Sequence, residues 1–86
     1  MNIDKVFENI GYKKTYDEEW SVVYTKEIDE EERYEIEFFK MLDPHNVKCT
    51  CFFVNAMDEE VEMPYELTVP EVNAIYLKCK ELRWYQ

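Results

Sequence analysis

The chain has 86 residues, with 20 Asp and Glu against 10 Lys and Arg and a formal charge of -10. That length suits one domain with one core and leaves no room for a deep cofactor cavity. The charge disfavours direct contact with phosphate backbones or anionic membranes, since both need a basic face.

Hydrophobic residues at 47% and aromatics at 16% predict a folded chain despite its charge. Ile3, Val6, Phe7 and Ile10 follow the i, i+3, i+4, i+7 stripe of a short helix over about residues 3 to 10, with Asn2 as its N-cap. Gly11, the only glycine, stands where a helix stop favours positive φ. The period then falls to about 2. A short segment from Tyr12 to Tyr16 and a turn at Asp17, Glu18 and Glu19 lead to Trp20, Val22 and Tyr24. These alternate with Ser21, Val23 and Thr25, the pattern of a strand with one face on a core. Tyr34, Ile36 and Phe38 repeat it against Glu35 and Glu37. Val47, Cys49, Cys51 and Phe53 repeat it again, with Lys48 and Thr50 outward. The polar stretches Asp29 to Glu32 and Asp43 to Asn46 are short enough for hairpin connections. Met63 to Leu67 reads as a short edge strand, a position that tolerates Pro64.

Thr68, Val69, Pro70 and Glu71 have the spacing of a capping box and open a second helix. Its apolar stripe is Val69, Val72, Ile75, Tyr76, Cys79 and Leu82. Lys78, Lys80 and Arg83 gather at its negative pole. The expected fold class is α+β, one domain over residues 1 to 86: a short N-terminal helix, an antiparallel β-meander of three to five strands, and a C-terminal helix packed on the sheet.

Three cysteines make no disulfide framework and fit a reducing compartment. No apolar run is long enough to span a membrane, and the residues from Met1 to Lys5 lack a signal-peptide segment, so the expected location is cytoplasmic. His45, Cys49, Cys51 and Cys79 are the residue types that bind zinc, but Cys-x-Cys without a second pair lacks zinc-ribbon spacing. They read as core thiols and a loop histidine. Neither His45 nor Ser21 sits in a nucleophile motif, and one glycine cannot build a phosphate loop. No catalytic residues, metal or cofactor are expected.

In a meander, turns alternate ends. Asp29, Glu30, Glu31 and Glu32 therefore fall at one end with Asp58, Glu59, Glu60 and Glu62, while Asp17, Glu18 and Glu19 fall at the other. Such a patch imitates the phosphates held by a basic nucleic-acid-binding protein and attracts that partner over a distance. The plainer alternative is loop acidity that only keeps the chain soluble; calcium would need an EF-hand alternation that neither cluster has. Phe39, Phe52 and Val54 lie opposite the inward set, and Trp84 and Tyr85 follow the last helix. With both helices on one face these residues would form an apolar strip for a protein partner or a homo-oligomer. One helix on each face would leave none.

The segment Leu67-Thr68-Val69-Pro70-Glu71-Val72-Asn73-Ala74-Ile75, then Glu81-Leu82-Arg83-Trp84, resembles a pattern of small phage and prophage proteins of Gram-positive bacteria. Phe7-Glu8-Asn9-Ile10-Gly11-Tyr12 is similar to their opening motif, and Arg83 stands where that pattern has glycine. The resemblance implies origin in a phage or mobile element and a bacterial host cell. In size and charge the chain is also similar to acidic anti-CRISPR and DNA-mimic proteins. This implies a non-enzymatic inhibitor, with a homo-oligomeric accessory protein as the alternative.

Overall fold

The computed structural model describes residues 1–85 and runs α1 (Ile3–Asn9), β1 (Lys13–Asp17), β2 (Ser21–Glu27), β3 (Glu32–Phe39), β4 (Asn46–Val54), β5 (Glu60–Pro64) and α2 (Val69–Glu81). The strands form one antiparallel sheet in the order β1-β2-β3-β4-β5, the meander that short polar turns between period-2 segments dictate.

Register fixes the two faces. Val22, Phe38 and Val47 pair across β2, β3 and β4, as do Tyr24, Ile36 and Cys49, so the alternating apolar positions fall on one side. Both helices lie there: Ile3 and Phe7 of α1 and Ala74 and Cys79 of α2 share a buried cluster with Tyr12, Val22, Tyr24, Ile36 and Phe38. Phe7 stacks on Tyr24 at 3.8 Å between ring centroids and meets Phe38 edge-on at 6.1 Å. Such contacts add roughly 0.5–1.5 kcal/mol per pair beyond area burial. The outer face carries no helix. There, Phe39, Phe52 and Val54 are half-buried, and Phe39 lies opposite Asn46 at one end of the β3–β4 pair while Phe52 lies opposite Arg33 at the other, with Glu35, Glu37, Lys48 and Thr50 between them, so the expected continuous apolar strip does not form.

Both helices end in the same way. After α1, Gly11 N–H donates to Glu8 O (3.0 Å) and Tyr12 N–H to Phe7 O (2.9 Å); after α2, Arg83 N–H donates to Lys80 O (3.0 Å) and Trp84 N–H to Cys79 O (2.9 Å). These are Schellman closures, which need a left-handed residue just past the cap. Gly11 supplies it at φ 93 and Arg83 at φ 62. Arginine thus occupies a conformation that favours glycine.

Several elements differ from expectation. Helix α1 is not among them, running from Ile3 to Asn9 with Ile10 as its cap. Trp20 is not an inward strand residue. It precedes β2 in a bend whose carbonyl accepts from Lys40 N–H (2.8 Å), and its side chain is 56% exposed. Conversely Ser21, Val23 and Thr50 point outward yet are buried, because larger side chains flank these short ones in register: Phe39 beside Ser21, Tyr16 and Glu37 beside Val23, Glu35 and Pro64 beside Thr50. The edge strand lies earlier than Met63 to Leu67, with Pro64 as its last residue.

Helix α2 is rotated from its expected stripe. Glu71, Ala74, Lys78 and Cys79 are buried, whereas Val69, Val72 and Tyr76 are exposed. The cause is polar. Glu71 is drawn inward by Tyr12, and the Lys78 ammonium donates to Glu81 (2.6 Å) above the Tyr24 ring.

Candidate interaction surface

At one end of the sheet the β2–β3 and β4–β5 turns lie side by side. Val54 N–H donates to Glu31 O (2.9 Å), and the Arg33 guanidinium reaches Glu60 (3.0 Å). Glu27, Asp29, Glu31, Glu32 and Glu60 line one shallow cavity of about 230 Å³ there. The acids do little of the structural work in the β4–β5 turn. Asn55 accepts the N–H groups of Met57 (2.9 Å) and Glu59 (3.1 Å) with its side chain, and Asp58 turns at φ 60. The Asp58 and Glu59 carboxylates are left facing water.

The eight predicted contact acids therefore divide. Glu30, Glu31, Asp58 and Glu59 are exposed and, among the described residues, their side chains take part in no ion pair or hydrogen bond. Asp29 accepts Glu31 N–H (2.8 Å) to shape its turn. Glu32 is half-buried beside the Cys51 thiol (3.6 Å). Glu60 is bound to Arg33, which holds its carboxyl below the usual range. Glu62 is set back along β5, 3.9 Å from Lys48. The turns are brought together as the meander requires, and only part of the set is unengaged.

At the other end Asp17 lies between Lys40 (2.9 Å) and Lys14 (3.3 Å). The hydrogen bond from Lys40 is the main reason that its pKa is lowered. Asp4 accepts from Tyr24 Oη (2.7 Å) and pairs with Lys14 (3.1 Å); the Tyr24 bond leads in lowering its pKa. Trp20, Met41 and Leu42 are exposed beside this end.

Sequence reasoning missed a third cluster, around Glu71. Tyr12 Oη donates to Glu71 Oε2 and shares a 2.7 Å hydrogen bond with Tyr65 Oη. Thr68 donates to Glu71 through its N–H (2.7 Å) and its hydroxyl (2.9 Å), and the hydroxyl oxygen accepts Glu71 N–H (3.3 Å), which completes the capping box. Burial pushes the Glu71 carboxyl up, but the Thr68 and Tyr12 donors outweigh it and the net shift is downward. Tyr34 and Tyr65 stack at 4.5 Å beside the open cavity of about 710 Å³ that Lys26, Glu66 and Glu71 also line. No buried side-chain nitrogen or oxygen lacks a partner among the described residues. The cluster is a lock that joins α2 to α1 and the sheet.

His45 is exposed and stacks on Trp84 at 4.4 Å. Trp84 is half-buried against Phe38, so it is part of the core margin and not a free contact residue. Cys51 and Cys79 are buried, Cys49 is half-buried, and all three are free thiols; burial pushes each of them up. Among the described residues no three His, Cys, Asp or Glu side chains converge as metal ligands, and no helix is long and apolar enough to cross a membrane. No family model, no curated protein and no solved structure matches the chain.

Proposed function

We propose that this chain is a non-enzymatic acidic interaction protein that binds, and by binding inhibits, a basic nucleic-acid-binding protein of a bacterial host cell. One observation carries the reading: two acidic turns meet at one sheet end, and Glu30, Glu31, Asp58 and Glu59 present exposed carboxylates that, among the described residues, form no ion pair with a cation of the chain. Asp29, Glu32, Glu60 and Glu62 form the surround of that contact. A dense row of anions attracts a basic groove at long range and competes for sites that otherwise hold phosphates. The similarity in size and charge to acidic anti-CRISPR and DNA-mimic proteins supports a host defence protein as the target.

The test is affinity capture from host lysate at low and at high salt, comparing the native chain with the fourfold variant Glu30→Lys, Glu31→Lys, Asp58→Lys, Glu59→Lys. A basic nuclease or DNA-binding protein retained at low salt, released at high salt and lost with the variant is the expected result. Capture that ignores both salt and the variant overturns the reading. The bare outer sheet face, with Phe39, Phe52 and Val54 half-buried, supports a second reading, a homo-oligomeric accessory protein. A monomer in sedimentation across a wide concentration range sinks that one.

A further inference from the structure

The outer face of the sheet twice sets aromatic rings beside carboxylates, with Glu35 bordering both places, and a cation of the chain fills one of them. In the filled instance Arg33 lies with its guanidinium carbon 4.2 Å from the Phe52 ring centroid, its Nε donating to Glu35 (2.7 Å) and its Nη1 to Glu60 (3.0 Å). Aromatic face and paired carboxylates are the two features that hold a planar guanidinium. Beside it Thr15, Tyr16, Trp20, Val23, Glu35 and Glu37 line an open cavity of about 410 Å³. Tyr16, Val23 and Glu37 stand in register across β1, β2 and β3, so Val23, 9% exposed, is the floor between an aromatic wall and a carboxylate wall. Strands lie about 4.8 Å apart, which places those walls roughly 10 Å apart, the width of one inserted side chain. Trp20 adds a second ring.

Among the described residues Glu37 makes no ion pair, and no Lys or Arg lies over Tyr16 or Trp20. Lys48, the β4 register partner of Glu37, turns to Glu62 instead.

We propose that the Tyr16–Trp20–Glu37 cavity is a socket for an arginine side chain. The choice of arginine over lysine follows from the rings, since a flat guanidinium stacks on an aromatic face and keeps its edge for a carboxylate, whereas an ammonium is a compact, strongly hydrated charge. Assignment of that arginine to a basic protein rests on the reading proposed above; the socket itself does not.

The experiment is a titration of the ¹⁵N-labelled chain with N-acetyl-arginine amide at constant ionic strength, following the indole N–H signals of Trp20 and Trp84. The Trp20 signal is expected to shift with a dissociation constant on the order of 10 mM, while Trp84 stays still. Glu37→Gln and Tyr16→Ala, both outside the buried core, weaken the Trp20 response about tenfold or more, and the remaining resonances of each variant report an intact fold. N-acetyl-glutamine amide gives no shift and N-acetyl-lysine amide a clearly weaker one. A Trp20 signal unmoved by the arginine amide, or moved equally by the lysine or glutamine amide, overturns the assignment. The fourfold variant at Glu30, Glu31, Asp58 and Glu59 should titrate like the native chain. Loss of partner capture and loss of the socket are thereby separable.

Discussion

The two ends of the sheet carry acidic turns of similar composition and treat them differently. At the β1–β2 end Asp17 is held by Lys14 and Lys40, which leaves Glu18 and Glu19 as the exposed, unpaired acids of that turn among the described residues. At the β2–β3 and β4–β5 end Arg33 binds Glu60 and Glu35 and Lys48 stands near Glu62, and among the described residues the four carboxylates at the turn tips have no partner. Acid count therefore says little about which acids are available to a partner; the position of the few cations decides it.

The largest effect expected from this contrast is on binding. Lysine at Glu30, Glu31, Asp58 and Glu59 should weaken partner capture by about a hundredfold or more, measured at low salt, whereas lysine at Glu18 and Glu19 should change it only a few-fold. Equal losses from both sets would mean that net charge alone governs capture. Next in size is the lock at Glu71, whose carboxylate accepts three hydrogen bonds. Tyr12→Phe removes a hydroxyl that donates to Glu71 and contacts Tyr65. Its cost should be about 2 kcal/mol, a fall in melting temperature of roughly 10 °C, and a melting curve unchanged from native would refute it.

Acid should act on the same engaged set. Asp4, Asp17 and Glu71 have pKa values lowered in the folded chain. The stability they contribute is present above the ordinary carboxylate range of about 4 and is lost as pH falls through their lowered native values. Urea unfolding at stepped pH should show stability dropping below about pH 4, and Asp17→Asn should flatten part of that drop. The smallest effect compares the two helix ends. Arg83→Gly relieves a left-handed arginine and should raise stability by about 1 kcal/mol. Gly11→Ala should lower it by a similar amount, since a Cβ there stands at φ 93 and 3.1 Å from Lys26 Cε.

Much of the fold was legible because its signals are local. The capping box at Thr68 and Glu71 and the polar turns between alternating segments each need only a few residues to be read. Joining two acidic turns at one end follows from the meander without any side-chain contact. Long-range polar contacts were not legible. Tyr12 meets Tyr65 and Glu71 across gaps of 53 and 59 residues, and that meeting turns α2 so that Glu71 and Lys78 displace Val69, Val72 and Tyr76 from the buried side. Trp20 failed for another reason. Alternation cannot say where a strand begins, and a tryptophan one position ahead of β2 is a wall of a surface cavity and not part of the core. Arg33 pairing with Glu60 was equally hidden, although it decides how many acids stay unengaged.

Because both helices rest on the same side of the sheet, the two surfaces of each strand answer to different demands. Substitutions at Val22, Tyr24, Ile36 or Phe38 must satisfy a packed interior, whereas those at Tyr16, Glu35, Glu37 or Phe52 meet only neighbours in the sheet and water. Adjacent residues of one strand can in this way diverge at different rates: the outward set is free to be rewritten for a new partner while the inward set preserves the scaffold that presents it.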